Sequence, residues 1–376
     1  MFRHPVKAHS LLTLLLATIT AVASGCSGNA MSSSTDASSS SSGSSSASSA
    51  SNGSGSSTGA SSSSGGAGGS SSSGGAGGAT SSSSSSTGSS SSSSGSVTPP
   101  VRVVAYLPNY AGSYATWAQT IDFTRMTHLD LAFATADGNN GWDMGASDSD
   151  VAALVTAAHA AGTKVLASLG GGGGDQTVIA QYKDSGNIAP LVQNLDTFVR
   201  SHGLDGVDVD IEDPNNLGSG YSAFVAAVVG TLRPEGKLVT AAVAQYLQDS
   251  MSDATLHTFD FLNVMIYSSY SDSVSGMTYY AQTKAVPANL LNLGAAFFGS
   301  DSNGNEYAYS AILAADPNAW SYDQTKVSGT TVDYTGMASM KKLTAYSEGY
   351  GGIMFWDLSQ DTTDSHSLYK AIQGAL

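Results

Sequence analysis

Cysteine occurs once in the 376 residues, charged residues make up 11%, and Lys and Arg together number 14. A single cysteine excludes an internal disulfide framework, a Cys-based zinc finger and a thiol redox pair. The few basic residues stand against 29 Asp and Glu, for a formal charge of -15. That balance excludes charge-driven binding to nucleic acid or to an anionic membrane surface. Length alone allows two or three domains. The first quarter of the chain has no globular pattern, which leaves one folded domain.

Arg3 and Lys7 precede an apolar stretch, 11–22, that is too short to span a bilayer comfortably. Ala23-Ser24-Gly25-Cys26 follows, the small-residue ending of a secretory signal over 1–26. The ending in Gly before Cys resembles a bacterial lipobox, which implies lipidation of Cys26; the plainer alternative is a secreted protein with an incidental Cys. Several acyl chains would anchor the chain stably where one would not. The expected location is therefore outside the cytoplasm. There the chain is either lipid-anchored at the outer membrane or cell surface, with no other membrane contact, or secreted.

Residues 27–98 are almost all Ser, Gly, Ala and Thr. Nothing in them can be buried to offset chain entropy, so a flexible tether is expected. Its random-coil reach is on the order of 47 Å. The remaining part, 99–376, has the size of a single α/β barrel.

Eight apolar, β-rich runs recur there: 102–107, 128–134, 164–168, 206–211, 238–244, 261–267, 293–297 and 352–356. Helical patterns lie between most of them. Val151, Leu154, Val155 and Ala158 keep helical spacing within 148–161, and Gly162 stops that helix. Phe224, Val225, Val228 and Leu232 do the same within 221–232, and Leu191, Leu195, Phe198 and Val199 form a third stripe. The alternation predicts an α/β fold, a parallel (β/α)8 TIM barrel. The runner-up is an open doubly wound sheet, but no G-x-G-x-x-G follows the first strand. The Gly170 to Gly174 run lacks the Lys-Ser/Thr of a phosphate loop and reads as a tight strand exit where backbone approaches a ligand.

Barrel active sites sit at the C-terminal ends of the strands. The fourth run ends Asp205-Gly-Val-Asp208-Val-Asp210-Ile-Glu212. Side chains alternate across a strand, so Val207, Val209 and Ile211 share the face under the helices. Asp208, Asp210 and Glu212 share the inward face. Three inward carboxylates repel unless some are protonated, hydrogen-bonded or metal-bound. A raised pKa on one of them makes a general acid at neutral pH. A merely solvated acidic strand end is the bland alternative. A divalent-metal site is another, weakened by the lack of a companion His.

This segment resembles the D-G-x-D-x-D-x-E signature of glycoside hydrolase family 18, the chitinase family. The resemblance spans the whole domain from about Val101 to Leu376. Val103-Val-Ala-Tyr106-Leu-Pro-Asn-Tyr110 is similar to the family's first strand, and Thr127-His128-Leu-Asp-Leu-Ala-Phe133-Ala to its second. Ser168-Leu-Gly170-Gly171 resembles the S-x-G-G of the third, Met265-Ile-Tyr267 the M-x-Y of the sixth, and Gly351-Gly-Ile-Met-Phe-Trp356 the eighth-strand tryptophan motif. Thr240-Ala-Ala-Val-Ala-Gln245 resembles the T-A-A-x-x-Q of plant-type chitinases.

The resemblance implies a retaining, substrate-assisted glycosidase, an exception to the two-carboxylate rule. Glu212 is implied as general acid and base, Asp210 as partner of the substrate's acetamide, and Asp208 as sharing a proton or hydrogen bond with Asp210. Tyr267 is implied to orient the acetamide, and Trp356 to floor the reacting sugar. Tyr106, Gln245, Met265, Phe133, Gly170 and Gly171 complete the expected substrate contacts. Met265 and Phe133 serve equally well as packing. Tyr114, Trp117 and Trp142 are read as loop aromatics that line a groove. No cofactor and no metal are implied, the partner is a saccharide containing N-acetylglucosamine, and a monomer is expected.

The sequence departs from the family pattern at Ile211, Asp213-Pro214, Ser268 and Phe298-Gly299-Ser300, which bears on substrate contacts. About 54 residues separate the seventh and eighth runs. That is near the upper range for a loop plus helix, so no large inserted domain is expected and an open cleft with endo action is. The activity expected is cleavage of β-1,4-linked N-acetylglucosamine polymers. Alternatives are an endoglycosidase acting on N-glycan chitobiose cores, a non-catalytic carbohydrate-binding barrel and a metal-dependent barrel enzyme.

Overall fold

A computed structural model describes residues 101–247 and 249–376. The expected signal over 1–26, Cys26 and the Ser/Gly-rich segment 27–98 lie outside the described residues. Eight parallel strands form the barrel: Arg102–Pro108, His128–Ala136, Lys164–Gly170, Gly206–Asp210, Leu238–Ala244, Leu262–Met265, Leu291–Ala296 and Gly352–Trp356. Each pairs with its successor in chain order, and the first pairs with both the second and the eighth, which closes the sheet. That closure excludes the open doubly wound alternative.

All eight predicted runs are strands, with ends that differ by a residue or two. The fourth stops at Asp210 and the sixth at Met265. Glu212 and Tyr267 therefore lie just past the strands that aim them. The helices follow the predicted apolar stripes. Asp148–Ala160 buries Val151, Leu154, Val155 and Ala158, and its N-cap Ser147 accepts the Asp150 N–H. Gly162 then takes a positive φ of 82°, which a residue without a Cβ adopts freely. Ser185–Ser201 and Ser219–Leu232 bury their predicted faces likewise. The outward faces of the strands and the inner faces of the helices make one continuous core, and a smaller apolar cluster around Val104, Tyr106, Ala132, Phe261 and Met354 lies inside the barrel.

The segment between the seventh and eighth strands is more than a loop and a helix. It folds into a four-stranded antiparallel sheet of Glu306–Ala308, Phe298–Asp301, Thr330–Asp333 and Gln324–Val327, in that spatial order, with the helix Tyr309–Ala315. The sequence pattern gave no sign of this small sheet because its strands are only three or four residues long and mostly polar, as in Gln324-Thr-Lys-Val327 and Thr330-Thr-Val-Asp333. They have none of the all-apolar character that marked the barrel strands. Phe298 opens this sheet directly after the seventh strand and packs edge-on to Tyr267 with ring centres 5.7 Å apart.

Candidate active site

The parallel ladder sets what surrounds each carboxylate of the fourth strand. Asp208 lies level with Ser168 on one side and Thr240 on the other. In-register neighbours point the same way, so both hydroxyls reach it. Ser168 donates to Oδ2 at 3.2 Å and Thr240 to Oδ1 at 2.6 Å. From across the barrel the Tyr106 hydroxyl donates to Oδ2 at 2.7 Å and Asn263 Nδ2 to Oδ1 at 3.4 Å. Asp208 is 0% exposed, and these four donors fill its acceptor sites. Burial still pushes its pKa up, and the hydrogen bonds pull against that.

Asp210 is level with Gly170 and Ala242, neither of which has a polar side chain. It is 3% exposed, and its Oδ1 is buried without a hydrogen-bond partner. Burial, then the charges of Glu212, Asp208, Asp175 and Asp130, hold its carboxyl well above the ordinary range. The structure shows no direct hydrogen bond between Asp208 and Asp210; the two are linked through the charge of Asp208, which helps to raise the Asp210 carboxyl.

Glu212 is half-buried. Its N–H donates to Asp175 Oδ2 at 3.2 Å, and its Oε2 accepts the Tyr246 hydroxyl at 2.7 Å. Burial raises its pKa first, the Tyr246 hydrogen bond opposes, and Asp175 raises it further. The carboxyl therefore stays protonated to higher pH than a solvated glutamic acid, as a general acid requires.

Tyr267 is half-buried, and its hydroxyl has only Met354 Sδ at 3.8 Å, a weak acceptor. Burial and the nearby carboxylates keep the phenol protonated, so it remains a donor. The half-buried Trp356 stacks on Phe133 with ring centres 5.4 Å apart and planes 21° apart, and Tyr106 meets it edge-on at 5.8 Å. Asp208, Asp210, Glu212, Tyr267, Trp356 and Phe133 thus gather at the C-terminal mouth. Met265 is half-buried and packs against both apolar clusters.

Other expectations change. Tyr106 is 2% exposed and serves as a hydrogen-bond donor to Asp208, so it has no surface left for a sugar. A Cβ on Gly170 would lie 2.5 Å from the Asp210 carbonyl oxygen, and one on Gly171 would lie 2.4 Å from the Phe133 ring. The protein's own packing accounts for both glycines, which also have positive φ. Tyr114 is buried in the helix Tyr114–Thr120 and donates to the Leu107 carbonyl. The Trp117 and Trp142 indoles donate to the Ala111 and Leu191 carbonyls, and both rings stay half-buried against the core, so of the three aromatics Tyr114 is the one that is withdrawn from the surface. Gln245 begins the single turn Gln245–Leu247, and its side chain lies outside the described residues.

The site also contains residues that sequence reading passed over. Asn263 donates to Tyr106, Asp130 and Asp208, and accepts from Asn292, which in turn accepts from Arg102. Asp130 is fully buried with Oδ1 unpartnered. The available signal was a polar residue inside an apolar strand run, since buried polar groups are kept where partners exist. No such signal marks Tyr246, one tyrosine among 17.

Fold and site together define a (β/α)8 barrel protein with an acidic, aromatic-floored site at the C-terminal ends of its strands. The family model for glycosyl hydrolases family 18 matches residues 102–361, and the chain belongs to that family. A family 18 chitinase from the chitin utilization locus of Flavobacterium johnsoniae superposes with a TM-score of 0.65 at 27% identity, over 73% of this chain and 93% of that one. An endochitinase of Saccharomyces cerevisiae is 29% identical over 254 residues, 62% of this chain and 40% of its own. A chitinase-like effector of Moniliophthora perniciosa is 31% identical over 124 residues, 31% of this chain and 28% of its own. The chain thus spans less than half the length of these two curated relatives.

Proposed function

We propose that this protein is an endo-acting hydrolase of β-1,4-linked N-acetylglucosamine polymers that works with retention and with help from its substrate. The observation that carries this reading is the unpartnered, buried Oδ1 of Asp210 beside Glu212. A buried acceptor without a donor is costly, and an acetamide N–H from a bound sugar would supply the missing donor.

In the first step the Glu212 carboxyl gives its proton to the glycosidic oxygen as the bond to the anomeric carbon breaks. The sugar's own acetamide oxygen takes that carbon, forming a cyclic oxazolinium. Asp210 accepts the acetamide N–H through its unpartnered Oδ1, which holds the acetamide against the anomeric carbon as the ring closes. Tyr267, a protonated phenol with only a sulfur partner, donates to the acetamide and fixes its orientation. Trp356 supplies an apolar face beneath the sugar ring. In the second step the Glu212 carboxylate removes a proton from water, which attacks the anomeric carbon from the side the leaving group vacated. The acetamide is regenerated and the configuration is retained.

Product analysis on short N-acetylglucosamine oligomers, read by NMR for the first-formed anomer, tests this. Retention is expected, together with inhibition by a stable thiazoline mimic and no cleavage of fully deacetylated polymer. Cleavage of cellulose or deacetylated chitosan at rates similar to chitin would overturn the mechanism. Cleavage of an N-glycosylated protein in preference to the oligomers would move the substrate to chitobiose cores, where the same acetamide chemistry applies. Binding without any turnover would move the reading to a carbohydrate-binding barrel.

We also propose that the chain is exported and acts outside the cytoplasm, tethered through lipid on Cys26. Cys26→Ala should release it from the membrane fraction or block maturation. Wild-type protein free in the medium without lipid mass would overturn that.

A further inference from the structure

Glu212 stands two residues beyond the last paired residue of the fourth strand, so the ladder no longer fixes its side chain. Loops hold it instead. Asp175, the first residue of the helix Asp175–Tyr182, accepts its N–H. Oε1 lies against Gly172, where a Cβ would sit 3.0 Å from it. Oε2 accepts the hydroxyl of Tyr246, which stands on the turn directly after the fifth strand.

Tyr246 is 62% exposed. A tyrosine ordinarily buries its ring and keeps its hydroxyl wet. Here the ring is wet and the hydroxyl is turned onto the acid. Packing into the core therefore does not account for this side chain.

We infer that Tyr246 is a positioning residue for Glu212, tying down Oε2 so that Oε1 is the oxygen that carries the transferable proton. The inference rests on the reading of Glu212 as proton donor. The groups facing the carboxyl are Asp175 from the helix after the third strand, Asp210 from its own strand, Tyr267 beyond the sixth strand, Glu306 from the inserted sheet, the Gly172 N–H and Tyr246. The three carboxyl groups and burial favour the protonated form. Tyr246 and the Gly172 N–H donate to Glu212 and favour the ionised form. The phenol thereby makes Glu212 a more willing donor in the first step, while burial keeps the proton in place until a sugar arrives.

The test is the titration of the Glu212 carboxyl carbon by NMR in the intact, carbon-13-labelled chain, assigned by its loss in Glu212→Gln. Tyr246→Phe keeps the exposed ring and removes only the hydroxyl. A hydrogen bond to a charged group shifts a titration by about one unit, so the midpoint should rise by about that much. The alkaline limb of kcat/KM on soluble oligomers should move up with it, and kcat should fall more than KM changes. An unmoved or lowered midpoint overturns the inference. The NMR titration needs no turnover. A chain that is inactive on every saccharide but shows the shift supports the Tyr246 contact while overturning the functional reading.

Discussion

Asp208 and Asp210 lie two residues apart on one strand and face the same way, yet their surroundings are opposite. Asp208 has a hydroxyl level with it on each neighbouring strand and two further donors from across the barrel. Asp210 has a glycine and an alanine in the corresponding places and keeps one buried oxygen unpartnered. Apart from one oxygen of Asp130, the lower half of the barrel interior spends its polar groups on one another, through the string Arg102–Asn292–Asn263–Asp208. The upper half leaves Asp210 and the Tyr267 hydroxyl largely unspent. Hydrogen-bonding capacity that the protein does not use on itself is capacity for a substrate, and at the level where Glu212 stands it faces the barrel mouth, whereas the unpartnered Oδ1 of Asp130 below is sealed in the interior.

The largest expected effect comes from removing the proton at that upper level. Glu212→Gln keeps the shape, and turnover should fall about 10²–10⁴-fold with oligomer binding retained. Near-wild-type turnover would end the assignment.

Asp210→Asn should come next, with a loss of about 2.7–4 kcal/mol in transition-state stabilisation, seen in kcat while the thermal midpoint is kept. Asp208→Ala should do the reverse of a purely catalytic change. It strands four donors at about 1–3 kcal/mol for each left unpaired, so a clear drop in thermal midpoint should accompany any loss of rate. Equal stability losses for the two variants would erase the contrast between the halves.

Asp130 offers a subtler probe of the lower half. Burial first, then the Asp208 charge, raises its folded pKa well above the ordinary value of 3.8. The folded state thus binds the proton more tightly than the unfolded one, and this group's stabilising effect is fully present below about pH 3.8. It is lost as pH rises towards the folded pKa. Asp130→Asn should therefore be more stable than wild type at neutral pH, and the difference should vanish in acid. Urea midpoints measured across pH check this, and a constant difference between the two proteins would contradict it.

The smallest expected effect is none. Exhaustive chelation should leave activity unchanged, because the proposed steps need a proton donor and an acetamide. Activity lost on chelation and restored by Mg or Mn would make the carboxylate row a metal site.

Strand alternation was legible from the chain because it is a local rule. Val207 and Val209 against Asp208 and Asp210 define two faces, whatever lies around them. The apolar stripes at Val151, Leu154, Val155 and Ala158 were legible for the same reason. The inserted sheet was not, since its short strands pair with each other across a helix and carry a mixed pattern.

By itself the sequence determined the eight barrel strands, the inward row of carboxylates and the kinship those motifs signal, all properties of a few adjacent residues. Only the tertiary structure decided that Asp208 is saturated and Asp210 is not, that Tyr106 is a buried donor, and that Tyr246 reaches the acid. Those outcomes depend on partners 32 to 102 residues away along the chain. Barrel closure and strand register bring them level, and no local period encodes which side chains will meet across a closed sheet.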